Sequence, residues 1–305
     1  MNFDITILGC GAATPTQRLS PTAQFVSIHE HAFLIDCGEG TQMRIRQMGF
    51  KMQKIEAIFI SHLHGDHFFG LIGLLSTFSL LGRTKELTIV APKDLEPWVF
   101  QTLRISDSFL TFPIQFVATE KNQSSTVYET DFLTVKAIPV KHRIACHAFL
   151  FTEKPHPLKI HKSSIQEHQL GIEEMVQLKK GIDVIRDDGE TIYSSDVCEP
   201  ALRQRKYFFC SDTLPLKLED LELFELDLLY HESTFLEDHI ERAAHTFHST
   251  AKQAAMVANH LCAKRLLLGH FSARYHDLGL FEVEAKQEFS NVQVAKEGET
   301  YSIEL

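Results

Sequence analysis

Four side chains of the kinds that bind metal ions lie close together in one short segment of the chain. They are His62, His64, Asp66 and His67. The segment follows the apolar residues 58–60 and precedes an apolar stretch, 68–81, that is long enough for a helix. A strand that ends in a tight loop before a helix can direct all four side chains toward one point. Imidazole nitrogens with a carboxylate suit zinc and similar divalent ions.

The number of these side chains indicates more than one metal. A catalytic zinc usually takes three protein ligands and keeps one position open, so three histidines and an aspartate exceed its needs. The excess favours two metals side by side, as in hydrolases that attack phosphoesters or acyl groups. The alternative is a solvated turn that is rich in histidine by chance, since 17 of the 305 residues are histidine.

Three more candidate ligands follow the same positional rule. His142, Asp212 and His270 each follow a predicted strand immediately or within two residues. In open α/β sheets, ligands collect at one end of the strands. A layered sheet sandwich flanked by helices could therefore gather all seven residues on one rim, although each of the three, taken singly, could be structural.

A second cluster of polar residues lies at 245–250. Ser249 or Thr250 can cap the following helix, and Thr250 with Gln253 fits a capping box. His248 then lies where backbone N–H groups and the helix dipole favour an anion. The alternative is a capping loop with incidental histidines.

A hydroxyl and a guanidinium follow His270 closely, at Ser272 and Arg274. Arginine suits planar, bidentate contact with a phosphate group. These two side chains are therefore candidates for binding an anion, and the alternative is a surface arginine.

The elements that must position these residues can be read from the apolar pattern. Phe3, Ile5 and Ile7 alternate with polar residues as in a half-buried strand, and 25–28 with 32–35 predict two paired strands. The last third alternates strands and helices, with apolar residues at helical spacing over 251–262. Residues 153 to about 190 differ: apolar density falls, and Asp188 with Gly189 predicts a hairpin turn. We interpret this segment as an insertion that projects from the core.

Composition limits the class of protein. A chain of 305 residues can form one large domain or two small ones. No apolar run reaches the roughly 20 residues that span a bilayer, and no signal peptide is visible. The six cysteines are scattered without a CxxC pair, which is typical of reduced thiols in a cytosolic protein. The net charge of −10 disfavours nucleic acid taken alone, but a local basic surface and two bound divalent ions can reverse the field at one face.

Several segments together resemble ribonuclease Z, the tRNA 3′-processing endonuclease of the metallo-β-lactamase fold. HxHxDH alone marks only the superfamily. The more specific segments are DCGEGTQ at 36–42, VKHR at 140–143, HEST at 231–234, HST at 248–250 and HFSARY at 270–275. The resemblance covers nearly the whole chain. It implies an α/β fold, a metallo-β-lactamase-like αββα four-layer sandwich, formed by residues 1–305 as a single domain with a flexible arm inserted at about 153–190.

The resemblance also implies a role for each site residue. The first of two Zn²⁺ ions would bind His62, His64 and His142, and the second Asp66, His67 and His270, with Asp212 as the bridge. Asp66 would also position or deprotonate the attacking water. His248, held by Glu232, would assist the scissile phosphate or protonate the leaving group, and Ser272 and Arg274 would contact phosphate. Mn²⁺ is an alternative metal that could support activity.

The family resemblance implies precursor tRNA as substrate, a homodimer in the cytoplasm, and a product tRNA with a free 3′-hydroxyl. In the family the arm grips the tRNA elbow and carries a Gly-Pro-rich stretch before a Leu-Lys-(Lys/Arg)-Gly motif. Here Lys179 and Lys180 belong to that motif, but residues 171–177 contain no Gly-Pro. The segment 153–190 also carries six Lys or Arg against eight Asp or Glu, so it is not a basic block.

Two other functions are compatible with parts of the pattern. Another phosphodiesterase of the same fold would use the same ligands but would have no use for a projecting arm that bears lysines. A catalytically dead binding protein would usually lack at least one ligand, whereas the set here is complete.

Overall fold

The computed structural model describes residues 1–216 and 225–305. Its chain forms two compact units. The first consists of Met1–Glu129, Val135–Phe151 and the described part of Lys206–Glu304, and the second of Thr130–Thr134, Thr152–Arg205 and Leu305.

The strands of the described residues are β1 (Phe3–Gly9), β2 (Ala23–Ile28), β3 (His31–Ile35), β4 (Ile55–Phe59), β5 (Leu87–Pro92), β6 (Ile114–Thr119), β7 (Ser125–Glu129), β8 (Leu133–Val140), β9 (Cys146–Glu153), β10 (Val184–Ile185), β11 (Thr191–Ile192), β12 (Lys206–Cys210), β13 (Leu228–Glu232), β14 (Leu266–Gly269), β15 (Val292–Val294) and β16 (Thr300–Ser302). The helices are α1 (Thr41–Gln47), α2 (Gly65–Phe68), α3 (Leu71–Leu80), α4 (Leu95–Ile105), α5 (Lys162–Glu167), α6 (Ile172–Lys179), α7 (Ser194–Val197), α8 (Ile240–Thr246), α9 (Ala251–His260) and α10 (Gly279–Ala285). The paired strands expected around residues 29–31 are confirmed as β2 and β3.

Two seven-stranded sheets form the centre of the first unit. One has the order β16-β1-β2-β3-β4-β5-β6, and the other β15-β14-β13-β12-β9-β8-β7. In each sheet the strands from the middle to one edge run parallel, from β3 to β6 and from β12 to β15. Parallel strands that are buried on both faces read as continuous apolar runs, and β14 fits this rule because all four of its residues are buried.

The sheets face each other and carry helices on their outer sides. Phe59 of one sheet packs on Phe149 and Phe151 of the other, with ring centroids 5.4 and 5.1 Å apart. Apolar residues of α1, α3 and α4 form a core with the outer face of the first sheet, and α9 and α10 pack near β13, β14 and β15. The predicted α/β class and αββα sandwich are therefore confirmed.

The apolar stretch 68–81 does not form one helix. The single turn α2 ends at Phe68, and α3 begins at Leu71. Between them the N–H of Gly70 donates to the carbonyl of Cys37 at 2.9 Å, and a Cβ atom on Gly70 would clash with the carbonyl oxygen of Gly38. This close backbone approach separates the turn that carries Asp66 and His67 from the longer helix.

The second unit has an apolar cluster of its own. Its buried members are Ile160, Leu170, Leu178, Val184, Ile192, Val197 and Cys198. The predicted hairpin turn is confirmed, since β10 pairs antiparallel with β11 and Gly189 between them has a φ of 89°. Three cluster members lie beyond residue 190, which is why this unit continues to Arg205 rather than ending where the sequence pattern placed the end of the arm.

Among the described residues, no helix has both the length and the apolar content that crossing a membrane requires.

Candidate metal centre and active site

The seven predicted ligand residues come together in the first unit because the strands that precede them end on the same side. His62 follows β4, His142 follows β8, Asp212 follows β12 and His270 follows β14. The remaining three belong to the loop after β4 and to the turn of α2. They are His64, Asp66 and His67.

The first group contains His62, His64, His142 and Asp212. His64 Nδ1 lies 3.0 Å from His62 Nε2 and 3.2 Å from His142 Nε2. Asp212 Oδ2 lies 3.6 Å from His62 Nε2 and 3.9 Å from His142 Nε2. The four atoms therefore surround a common point.

The second group contains Asp66, His67, His270 and the same Asp212. The Nε2 atoms of His67 and His270 are 3.3 Å apart, and Asp66 Oδ2 lies 3.5 Å from each of them. Asp212 Oδ1 lies 3.5 Å from His67 Nε2 and 3.3 Å from His270 Nε2. Asp212 thus directs one carboxylate oxygen toward each group.

The spacing and chemistry of these atoms fit divalent cations. With metal–nitrogen distances of about 2.0–2.1 Å, a tetrahedral site separates its ligand atoms by about 3.3–3.4 Å. Asp212 Oδ1 is buried and has no hydrogen-bond partner among the described residues, and a buried charged oxygen in that state is costly. A cation within each group would supply the missing partner.

The charges of the site agree with this fit. Burial lowers the pKa of His62 well below its usual range, which favours the neutral form that binds metals. Burial lowers the pKa of His67 as well, but the carboxylates of Asp212, Asp36 and Asp66 outweigh it and raise that pKa well above its usual value. The carboxylates around His67 therefore favour positive charge in the second group, and a divalent cation carries more positive charge than a proton does.

Asp36 supports the second group without belonging to it. Its carboxylate accepts from His67 Nδ1 at 2.7 Å and from the backbone and hydroxyl of Ser61 at 2.8 and 2.9 Å. A proton held on Nδ1 leaves Nε2 free as a ligand. The sequence analysis assigned no role to Asp36 or Ser61. Asp36 nevertheless follows β3 directly, just as several of the candidate ligands follow their strands.

The hydroxyl of Thr234 joins three functional side chains. Thr234 Oγ1 lies 2.9 Å from His270 Nδ1, 3.1 Å from His248 Nδ1 and 2.8 Å from Glu232 Oε2. It therefore connects a candidate ligand with the His248–Glu232 pair. The only indication of a role for Thr234 in the sequence was its position in the HEST segment.

His248 lies beside the two groups and contacts Glu232. Its Nδ1 atom lies 3.2 Å from Glu232 Oε1 and 4.0 Å from Asp212 Oδ2. Burial lowers the pKa of His248, but the carboxylate of Glu232 outweighs it and raises that pKa to about 9. The backbone N–H of Ser249 also donates to Glu232 Oε1 at 2.8 Å, and the expected capping box of Thr250 and Gln253 begins α9 directly afterwards.

A cavity of about 850 Å³ opens over these residues, and both Ser272 and Arg274 line it. Arg274 Nε donates to Ser272 Oγ at 3.1 Å, and its guanidinium lies over the ring of Phe235. Lys179 and Lys180 are exposed at the C-terminal end of α6 in the second unit.

Comparisons with known proteins agree with this geometry. The model of the family described as Anti-Pycsar protein Apyc1 matches residues 3–154. A protein named Ribonuclease Z from Bacteroides fragilis (strain ATCC 25285) is 43% identical over 97% of both chains, and one from Parabacteroides distasonis is 42% identical over 99% of both. The short form of human tRNase Z superposes with a TM-score of 0.70 at 28% identity, covering 99% of this chain and 100% of that one.

The sheets, the helical layers and the cluster of histidines and aspartates define a metal-dependent hydrolase of the metallo-β-lactamase fold. Relatives more than 40% identical over nearly the whole length identify the particular group within it. The chain belongs to the ribonuclease Z family.

Proposed function

We propose that this chain is a zinc-dependent endoribonuclease that removes 3′ trailers from tRNA precursors and leaves a tRNA 3′-hydroxyl. The observation that carries the proposal is the pairing of two metal-ligand groups through Asp212 next to the His248–Glu232 pair. The names of the relatives, Ribonuclease Z and tRNase Z, supply the substrate class.

Two Zn²⁺ ions would occupy the two groups. The first would bind His62, His64 and His142, the second Asp66, His67 and His270, and Asp212 would bridge them. When bound, such ions lower the pKa of water so that hydroxide forms near neutral pH, and they offset negative charge on the phosphate.

The chain's own residues orient the reactants and move protons. Asp66 Oδ2 accepts the N–H of Ala13 at 2.7 Å, which fixes the carboxylate at the cavity, where it positions or deprotonates the attacking water. Water adds to phosphorus as the bond from phosphorus to the O3′ of the tRNA breaks. His248 gives its proton to that O3′, and Glu232 keeps the imidazole oriented and protonated beforehand. The trailer departs with a 5′-phosphate.

Ser272 and Arg274 would bind phosphate oxygens of the RNA in the same cavity. Their mutual hydrogen bond and the Phe235 ring hold the guanidinium in place. A guanidinium held in this way loses little entropy when it binds a phosphate.

We further propose that the second unit is the arm that grips the tRNA elbow through Lys179 and Lys180. Both lysines are exposed, and no ion pair links either of them to a carboxylate within the described ranges. They are thus available to phosphates.

A homodimer is the assembly that we propose. The helices α3 and α4 and the residues that follow α2, α3 and α4 expose several large apolar side chains, between 48% and 86% accessible. They are Phe69, Leu80, Leu81, Phe100, Ile105 and Phe109. Apolar surface of this kind marks interaction sites. We also propose a cytoplasmic location, because all six cysteines are free and free thiols are typical of reducing compartments.

The test is incubation of the purified protein with a 3′-extended tRNA precursor, with and without a chelator, and mapping of the cut to the nucleotide. A single cut at the 3′ end of the tRNA body that chelation abolishes is expected. Elemental analysis should find close to two divalent ions per chain, and fewer than one after reconstitution would contradict the metal assignment. Hydrolysis of bis(p-nitrophenyl) phosphate without any cleavage of the precursor would instead favour another phosphodiesterase of this fold.

A further inference from the structure

A second cavity adjoins the active-site cavity in the first unit. It has a volume of about 470 Å³. His142 and Arg143 line both cavities, so a chain that passes the metal groups can continue past Arg143 into the second space. The proposed mechanism makes no use of this cavity.

The second cavity is basic in an acidic protein. Lys121, Lys141 and Arg143 line it, and all three are exposed. Within residues 1–216 and 225–305, no carboxylate forms an ion pair with any of them. Unpaired cations around a concave surface attract anions, and here they do so in a chain whose net charge is −10.

Arg143 and His64 place two nitrogen atoms beside one point, since Arg143 Nη2 lies 3.2 Å from His64 Nε2. His64 Nδ1 faces the nitrogens of His62 and His142. With a cation bound in the first group, Nδ1 would be the ligand atom and the proton of the neutral imidazole would lie on Nε2. Both nitrogens would then be donors, and an acceptor that both can reach would satisfy them.

We propose that Arg143, with Lys121 and Lys141, binds the RNA phosphate next to the scissile one and leads a single-stranded segment into the second cavity. The proposal rests on the proposed endoribonuclease function. A phosphoryl oxygen is the acceptor that a guanidinium binds best. A space of about 470 Å³ is the size of a small-molecule pocket, so it admits unpaired nucleotides but not the double-stranded acceptor stem.

Two phosphates could occupy this place, and substrate length distinguishes them. The phosphate on the trailer side exists only when the trailer has at least two nucleotides. The phosphate on the tRNA side is present in every precursor. The experiment therefore compares precursors with trailers of one and of ten nucleotides, under conditions that give KM and kcat separately.

Arg143→Ala should raise the KM for the ten-nucleotide precursor by about tenfold or more, as expected for a lost hydrogen bond to a charged group. The salt dependence of KM should fall by about 0.7 in slope for the lost phosphate contact, and by about twice that in Lys121→Ala/Lys141→Ala. The metal content should stay at the wild-type value, and kcat/KM for bis(p-nitrophenyl) phosphate should fall much less than kcat/KM for the ten-nucleotide precursor. The control is Lys136→Ala, which removes an exposed charge from β8 outside either cavity and should change nothing.

If Arg143→Ala raises the KM only for the precursor with ten trailer nucleotides, the site binds the phosphate on the trailer side. An equal rise in KM for both precursors identifies the phosphate on the tRNA side. An unchanged KM and salt slope in Arg143→Ala would overturn the proposal, as would an equal loss on the small diester. The affinity for a 5′-phosphorylated ten-nucleotide RNA, measured by fluorescence anisotropy, tests the site without turnover. This binding measurement separates failure of the proposed site from failure of the proposed function. If the proposed function is wrong, the wild-type protein does not cut the precursor.

Discussion

At the scale of single residues, Asp212 and His248 have separable tasks. Asp212 directs one oxygen toward each ligand group, whereas His248 lies beside the groups, with its Nδ1 4.0 Å from Asp212 Oδ2 and 3.2 Å from Glu232 Oε1. Asp212→Ala should therefore lose metal and activity together. His248→Ala should keep both metals and the fold but lose about 10²–10⁴-fold in rate, the range for a general acid. Elemental analysis measures the metal content, and single-turnover kinetics measures the rate. A wild-type rate in His248→Ala would refute the role of His248 as general acid.

Glu232 sets the pH range in which His248 is protonated. Its carboxylate, 3.2 Å away, raises the pKa of His248. A histidine with a raised pKa holds its proton below that pKa and loses it as the pH rises through it. Activity that depends on the proton should therefore fall on the alkaline side, and Glu232→Gln should move that fall to lower pH. A pH–rate profile with precursor tRNA, whose O3′ leaving group takes the proton, measures the shift under single-turnover conditions. An alkaline limb that stays in place would show that Glu232 does not control the proton.

At the scale of elements, Glu153 and Arg205 join the two chain segments that bound the second unit. Arg205 donates through Nε and Nη2 to the carboxylate of Glu153 at 2.8 and 2.7 Å, and both side chains are almost fully buried. Removing one partner of such a pair leaves a buried charge, at a cost of about 3–5 kcal/mol. Arg205→Met should lower the unfolding temperature strongly, and Glu153→Gln/Arg205→Met should recover much of it. A double variant no more stable than the single one would point to a different cause.

The strands and the clustering of the candidate ligand residues were predictable from the sequence because both depend on local pattern. Parallel strands at the centre of a sheet are apolar throughout, so the polar residue that ends each run, such as Asp212 or His270, stands out. The partners of these residues could not be found in this way. Thr234 reaches His248 and His270, 14 and 36 positions away, and such contacts depend on tertiary packing rather than on spacing.

Other elements departed from the pattern for similar reasons. Nothing local distinguishes Gly70 from a tolerated glycine in a helix, and only the backbone of Cys37 and Gly38 excludes a side chain there. The second unit continued to Arg205 because residues beyond the predicted arm, such as Val197, complete its apolar cluster. Long-range contacts thus set both boundaries.

At the scale of the whole molecule, the exposed apolar side chains of α3 and α4 predict the dimer interface. Light scattering should give a mass near twice 34.8 kDa. Ile105→Asp/Phe109→Asp should shift the protein toward the monomer, because a buried charge without a partner opposes association. The matched control is Leu280→Asp/Val283→Asp, which changes two exposed apolar residues of α10 and should leave the mass unchanged. A strict monomer of the wild type at micromolar concentration with full activity would contradict the dimer.

The second unit should serve recognition rather than chemistry. It has its own apolar cluster, and that cluster includes Ile192, Val197 and Cys198, so a clean deletion removes residues 155–203 and keeps the pair of Glu153 and Arg205. With a short Gly/Ser linker in its place, precursor binding should weaken much more than turnover of bis(p-nitrophenyl) phosphate.

Substitutions of two lysines test whether the second unit serves tRNA recognition without removing the unit. Lys179→Ala/Lys180→Ala should raise the KM for precursor tRNA and reduce its salt slope by up to about two, since each lost phosphate contact removes roughly 0.7–0.9. Lys51→Ala/Lys93→Ala removes two exposed charges from the first unit and should change neither quantity. Equal losses on both substrates would indicate a structural unit. No loss on tRNA would mean that, without a Gly-Pro stretch, this segment has no part in recognition, and the general phosphodiesterase interpretation would gain weight.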